Sequence, residues 1–334
     1  MNSIIGQEKL KQQLLKSVHQ NRVSHAYLFC GSKGIGKRTI VHAFAAILLC
    51  QKPNEDGACG CCQSCLLIQN SSNPDLITIE AEEGKSEISV TSARTIKNDV
   101  YIKPLICKRK VYIIVDAEKM NINAQNCILK TLEEPNQYVT IILTSSNPEM
   151  LMDTIKSRVI EYNLERNSAE EVEEYIRNNI NDLQSDIEFI IGFSEGIIGK
   201  AVTIATSPEL QNTRESVLKL LFNIKVNDDE IKKLFKENKE NIDFLFNVMT
   251  LFYRDVLVYK NTHDEKMLIN LDKKDMIIGI AKEYSAQYLM NNIDLIEKVK
   301  RDIDFNTNYN NTIDFMLVNL QEDLFDAKCS WSKV

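Results

Sequence analysis

The sequence predicts an α/β domain built on a parallel sheet, followed by a small helical domain and an all-α C-terminal domain. Three observations carry this. Short, nearly continuous apolar runs alternate with helix-like stretches up to Asn163. Strands that are apolar on both faces, with helices between them, belong to a parallel sheet covered on both sides. Beyond Asn163 the strand signal disappears, and after Pro208 there is no further proline and Gly279 is the only glycine, the composition of a helical bundle.

The elements follow in order. Ala26-Tyr27-Leu28-Phe29-Cys30 is a short apolar run ending in a Gly-rich loop and reads as a buried strand. Thr39 to Leu49, rich in Ala, Ile and Leu, reads as a helix packed on the sheet. Further strands are expected at Asp75–Ile79, Val111–Val115 and Val139–Leu143, separated by helical stretches such as Val90 to Val100 and Ala124 to Leu132. Ser168-Ala169-Glu170-Glu171 has the pattern of a capping box, Ser168 accepting from the first turn and Glu171 reaching back. Phe244, Phe246, Val248, Leu251 and Phe252 fall at helical spacing. The expected division is an α/β domain at 1–163 with an insertion at 50–65, a small helical domain at 164–206, and a helical domain at 207–330.

With 44% hydrophobic and 26% charged residues, the chain has the composition of a soluble globular protein. No apolar run reaches membrane-spanning length and the first residues are not a signal peptide, so the expected location is the cytoplasm, with no membrane partner. The nine cysteines then read as metal ligands or buried thiols rather than disulfides. A net charge of −7 argues against broad nucleic-acid binding by the whole chain. Lys103, Lys108, Arg109 and Lys110 leave open either a local basic face or, more plainly, a solvated loop before a strand.

Gly31-Ser32-Lys33-Gly34-Ile35-Gly36-Lys37 joins the first strand to a helix. Such a loop turns successive N–H groups toward a phosphate, and the Lys supplies the matching charge. Gly31, Gly34, Gly36, Lys37 and Thr39 are therefore candidate nucleotide-binding residues. Yet Arg38 stands where the motif needs a hydroxyl to hold Mg²⁺. Thr39, about 100° further round the helix, does not simply replace it. The loop is either a relic that keeps the fold or a weak nucleotide site. A second half-site is expected at the end of the third strand, where such ATPases place an Asp for Mg²⁺ and a Glu to polarise water. Here the text is Val115-Asp116-Ala117-Glu118. One register puts Val115 in the metal position and Asp116 in the water position; the other puts Asp116 and Ala117 there. Either way a group is missing or altered.

Five cysteines lie within sixteen residues: Cys50, Cys59, Cys61, Cys62 and Cys65. Cys62 and Cys65 have the two-residue spacing that turns both sulfurs to one ion, and Cys59 and Cys50 can close a tetrahedron around structural Zn²⁺. Cys61 competes with Cys62 but is worse spaced to Cys65. Cys30, Cys107, Cys127 and Cys329 read as buried or incidental thiols. Ser157-Arg158 places an Arg beyond the last predicted strand, near the domain's edge, where it could reach a neighbouring subunit's phosphate; on the residues alone this is only a suggestion. Pairing with a carboxylate is the commoner fate of a surface Arg.

With these motifs the chain resembles the clamp-loader branch of the AAA+ family. The matching text includes Ile5-Gly6-Gln7-Glu8, His25-Ala26-Tyr27-Leu28-Phe29, Asn73-Pro74-Asp75, Leu129-Lys130-Thr131-Leu132-Glu133-Glu134-Pro135, Ser146-Asn147-Pro148, Ser157-Arg158 and Tyr253-Arg254-Asp255. The resemblance implies an AAA+/RecA-like P-loop domain, a helical lid and a helical collar. It implies zinc on Cys50, Cys59, Cys62 and Cys65, a trans-acting catalytic role for Arg158, and a second-sensor position near Lys200. Val159, where Cys is usual, departs from the pattern.

Length and the substituted metal positions favour a non-hydrolysing subunit over the tau/gamma-type ATPase paralogue. ATP or ADP on this chain is then doubtful. Expected partners are tau/gamma-type ATPase subunits and a delta subunit, and through the assembly the sliding clamp and primed DNA. The competing reading is an autonomous ATPase in which Thr39 and Asp116 rescue Mg²⁺ binding. A zinc-dependent interaction module is a third.

Overall fold

The computed structural model describes residues 1, 4–82, 85–222, 228–304 and 308–329. They form two compact units, Met1–Tyr175 with Gly196–Gly199, and Ile176–Glu195 with the chain from Lys200 onward. The expected end of the last domain at residue 330, and the side chain of Cys329, lie outside the described residues.

The first unit is built on five parallel strands: β1 (Ala26–Cys30), β2 (Leu76–Ile79), β3 (Lys110–Ile114), β4 (Val139–Ser145) and β5 (Ile160–Asn163). Their order is β2-β3-β4-β1-β5, with Phe29 beside Thr144 and Ile113 beside Ile142. Every residue of β1, β3 and β4 is buried, which is why their sequences read as unbroken apolar runs. Helices α1 (Glu8–His19), α2 (Lys37–Leu49), α3 (Gln63–Gln69), α4 (Val90–Asp99), α5 (Ile122–Glu133) and α6 (Asp153–Lys156) belong to the same unit. Two apolar cores sandwich the sheet. One gathers Leu28, Tyr112 and Ile141 with α4 and α5; the other gathers Phe29, Ile113 and Ile142 with Phe44 of α2.

The four predicted strands are present, their bounds shifted by at most two residues. β5 was not predicted. It is an edge strand of four residues, three of them exposed, so neither an apolar run nor a clean alternation marks it. The capping box forms as expected: Ser168 Oγ accepts the Glu171 N–H at 3.2 Å, and Glu171 Oε2 accepts the Ser168 N–H at 2.9 Å. It opens α7 (Ala169–Asn179).

The second unit is helical: α8 (Ile187–Ser194), α9 (Ile198–Thr206, whose first two residues belong to the first unit), α10 (Pro208–Phe222), α11 (Asp228–Glu237), α12 (Ile242–Thr262), α13 (Lys274–Glu283), α14 (Ala286–Asp304) and α15 (Tyr309–Cys329). Pro208 is the first residue of α10, where its missing N–H costs nothing. Leu245, Phe246, Val248, Met249, Phe252 and Val256 form the buried stripe of α12. Arg214 of α10 is fully buried in this unit. Its guanidinium lies 2.7 and 2.9 Å from the two Asp272 oxygens, donates to Asn270 Oδ1, and sits 3.7 Å from the centre of the Phe189 ring. Among the described residues no helix is long and apolar enough to cross a membrane.

Candidate functional site

The Gly-rich loop leaves the carboxyl end of β1, between β4 and the edge strand β5, and ends on α2. Gly34 and Gly36 have φ of 84° and 102°, the left-handed region that glycine enters without strain. The loop is braced from within its own unit. Gly34 C=O accepts the Gly199 N–H at 3.0 Å, and a Cβ at 199 would stand 2.7 Å from that oxygen. Gly199 is thus fixed as glycine by contact, which its sequence neighbourhood did not reveal. Lys200, expected near a second-sensor position, belongs to the second unit.

Lys37 is buried, and its Nζ donates to Gly31 O (2.6 Å), Ser32 O (3.1 Å) and Ser146 Oγ (2.8 Å). All three ammonium protons therefore have acceptors inside the protein. Burial pushes its pKa down, against the opposing pull of Asp116 and Glu118. Thr39 is exposed, on the α2 face away from the buried residues Lys37, Ile40 and Val41.

Arg38 turns to the end of β2, where its guanidinium meets Glu80 at 2.8 Å (NH1–Oε2) and 3.3 Å (NH2–Oε1). β3 ends at Ile114, so the first of the two registers holds and Val115 follows the strand. Val115 is packed in the apolar core and offers no oxygen to a metal. Asp116 has φ of 51°, donates its N–H to Thr144 Oγ1, and pairs with Lys119 at 3.0 Å. Glu118 accepts the Ser146 N–H at 2.9 Å through Oε1, while its Oε2 is buried without a partner. Glu80 was not singled out from sequence, and Glu118 and Ser146 stood there only as neighbouring text with no role. They are distant in the chain, and only the parallel pairing of β2, β3 and β4 brings their strand ends together.

The insertion after α2 gathers Cys50, Cys59, Cys62 and Cys65, with all four sulfurs within 4.8 Å of one another. Cys50 and Cys62 are 4.0 Å apart, and Cys59 and Cys65 are 3.9 Å apart. A tetrahedral site with metal–sulfur bonds of about 2.3 Å has edges of about 3.8 Å, so the four thiols fit a divalent ion and leave no open position. Cys61 is exposed and outside the cluster, whereas Cys62 is within it. The backbone N–H groups of Cys61 and Cys62 pull the Cys59 thiol down to about 6, toward the thiolate that a metal requires. Burial pushes the Cys50 and Cys65 thiols up. Cys30 is a buried thiol in β1, raised to about 12 by burial and by Glu161, and Cys107 bonds Ser64 Oγ at 3.2 Å.

Asp75 is the buried carboxylate under this region. It accepts N–H bonds from Leu105, Ile106 and Cys107 at 2.7, 2.8 and 2.7 Å, clamping the loop that precedes β3. Within the basic run of that loop, Lys103 and Lys108 are exposed, whereas Lys110 is buried and paired with Asp99 at 2.7 Å. The solvated-loop reading thus fits Lys103 and Lys108, and Lys110 is taken out of any basic face.

Arg158 follows α6. NH2 lies 3.0 Å from Glu133 Oε1, and NH1 donates to Thr154 O at 2.9 Å and to Ser157 Oγ at 3.2 Å. It is the surface Arg paired with a carboxylate that sequence reasoning weighed against a trans role, although its side chain keeps 35% of its exposure.

The family model described as DNA polymerase III, delta subunit, matches residues 6–168, and the one described as DNA polymerase III, delta subunit, C terminal, matches residues 208–320. DNA polymerase III subunit delta' of Pseudomonas aeruginosa is 32% identical over 266 residues, covering 76% of this chain and 78% of its own length. The Bacillus subtilis subunit delta' is 28% identical over 329 residues, covering 95% of this chain and 96% of its own. Among solved structures, a DNA polymerase III gamma subunit-related protein from Thermotoga maritima is similar in fold. Its TM-score is 0.53 at 20% identity, over 94% of this chain and 99% of that one.

Proposed function

We propose that this chain, which belongs to the delta-prime family of DNA polymerase III clamp-loader subunits and has the AAA+ fold, works as a non-hydrolysing member of the loader. It lends Arg158 to the ATP site of a neighbour. One observation carries the reading: the metal half of its own phosphate site is replaced by protein contacts. Arg38 stands in the hydroxyl position and is paired with Glu80, and apolar Val115 occupies the position that should ligate Mg²⁺. Phosphoryl transfer relies almost wholly on positioning and charge neutralisation, so a site without metal ligands has little left to offer. Lys37, with its protons already shared out, points the same way.

In this reading residues 1–163 form the AAA+ domain, 164–206 a lid, and 207–330 the collar that holds the ring. The partners are tau/gamma-type ATPases and a delta subunit in the cytoplasm. The assembly, rather than this net-negative chain, attracts primed DNA and places the sliding clamp on it. Zinc is the ion we assign to Cys50, Cys59, Cys62 and Cys65. Bound there it cross-links the insertion and performs no chemistry, because four protein ligands saturate it.

The test is ATP turnover by the purified chain with Mg²⁺ and primed DNA, together with co-purification with a tau/gamma-type ATPase. The expected result is no turnover and stable association. Turnover that disappears on Lys37→Ala would establish the autonomous-ATPase alternative instead. Absence of any association would remove the subunit reading altogether.

A further inference from the structure

Arg158 does not stand free for a neighbour. Its guanidinium is held on its own subunit by three acceptors, of which Glu133 is the only charged one among the contacts described. Glu133 is the last residue of α5, and Glu134 follows it. Helix carbonyl ends carry partial negative charge, so a carboxylate there is unfavourable unless a cation offsets it. Arg158 supplies that cation from across a shallow hollow that also contains His25, whose Nε2 is buried without a partner. A carboxylate presents to a guanidinium the same kind of paired oxygens that a phosphate does. The hollow thus already contains an anion, and it is the protein's own.

We propose that Glu133 is a positioning residue for Arg158, an internal substitute for the neighbour's phosphate that holds the guanidinium back until ATP displaces it. This rests on the trans role of Arg158 argued above. The contact is made through one Glu133 oxygen, and both side chains are partly in water, 35% exposed for Arg158 and 49% for Glu133. Such a pair is weak enough for a polyphosphate to win the competition. While it lasts, only a fraction of the Arg158 population is available, and the apparent affinity for ATP falls by that fraction.

The experiment uses the loader reconstituted from this chain with tau/gamma-type and delta partners, with ATP as the probe. Glu133→Gln keeps the shape and removes the charge. The KM for ATP is expected to fall by about two- to five-fold, the span an exposed ion pair can supply, and kcat to move by less. The same fall is expected in the Kd of a fluorescent ATP analogue. It should fade as salt is raised and vanish in an Arg158→Ala background. Glu133→Ala should reproduce it, which excludes a new bond made by the Gln amide. An unchanged or raised KM, with Arg158→Ala still slowing turnover, would overturn the proposal and leave the trans role intact. If Arg158→Ala leaves turnover untouched, the trans role fails, and the proposal with it.

Discussion

Arg38 and Glu80 form a two-pronged ion pair between the start of α2 and the end of β2, at 2.8 and 3.3 Å. The residue that displaces the metal-binding hydroxyl is itself occupied by the end of β2. Replacing it with the motif residue is therefore not enough to build a working site. Arg38→Thr should leave the isolated chain without measurable phosphate release, because Val115 still offers the metal nothing. Turnover in Arg38→Thr alone would show that one hydroxyl was the whole defect.

The trans role of Arg158 predicts a separation between assembly and turnover. Arg158→Ala should co-elute with its partners as the parent chain does, while DNA-stimulated ATPase drops. An Arg given in trans is worth about 10³-fold or more at the site it serves, so the neighbouring site should fall nearly silent. The remaining sites would keep part of the total rate. Equal turnover with and without Arg158 would dismiss the assignment.

The thiol cluster predicts a metal stoichiometry. Cys61→Ser should retain one bound ion per chain by elemental analysis, whereas Cys62→Ser should lose it and melt at a lower temperature. Chelation of the parent chain should lower its melting temperature in the same direction. Loss of metal in Cys61→Ser would move the fourth ligand.

Arg214 gives the helical unit a charge with no access to water. Asp272→Asn leaves that guanidinium without its counter-ion and should destabilise the protein by about 3–5 kcal/mol in denaturant unfolding. Arg214→Met removes the charge together with its need for a partner and should cost less. The reverse order would mean that the Phe189 contact, rather than the ion pair, holds α10 in place.

Asp75 predicts a pH dependence. Burial alone would raise its pKa, but three backbone N–H donors hold the carboxyl below the ordinary 3.8. A depressed folded value means stability that is fully present above 3.8 and is lost as pH falls through the lower folded value. Asp75→Asn should therefore cost about 2 kcal/mol near neutrality, and the gap to the parent should narrow below about pH 4. A gap independent of pH would show that the bonds do not depend on the charge.

What the sequence revealed, and what it hid, follows from distance along the chain. β1, β3 and β4 were legible because burial on both faces leaves an unbroken apolar run, and the thiol cluster because its four cysteines fall within sixteen residues. The pairing of Arg38 with Glu80 spans 42 residues and that of Arg214 with Asp272 spans 58. No periodicity or spacing encodes such contacts; the sheet order and the helix packing create them. β5 escaped because an exposed edge strand has no inward face to pattern.

The compactness of the thiol cluster bears on how the protein fails. All four cysteines lie between residues 50 and 65, so closing that loop around an ion would require little chain entropy and none of the sheet. An ion can therefore also be held by the unfolded chain, more weakly than by the folded one, whose helices α2 and α3 position Cys50, Cys62 and Cys65. A ligand shared by both states shifts the folding equilibrium far less than its affinity suggests. If the cluster holds an ion, tight metal retention and modest thermal protection are compatible, because part of the affinity is expressed in the unfolded chain as well.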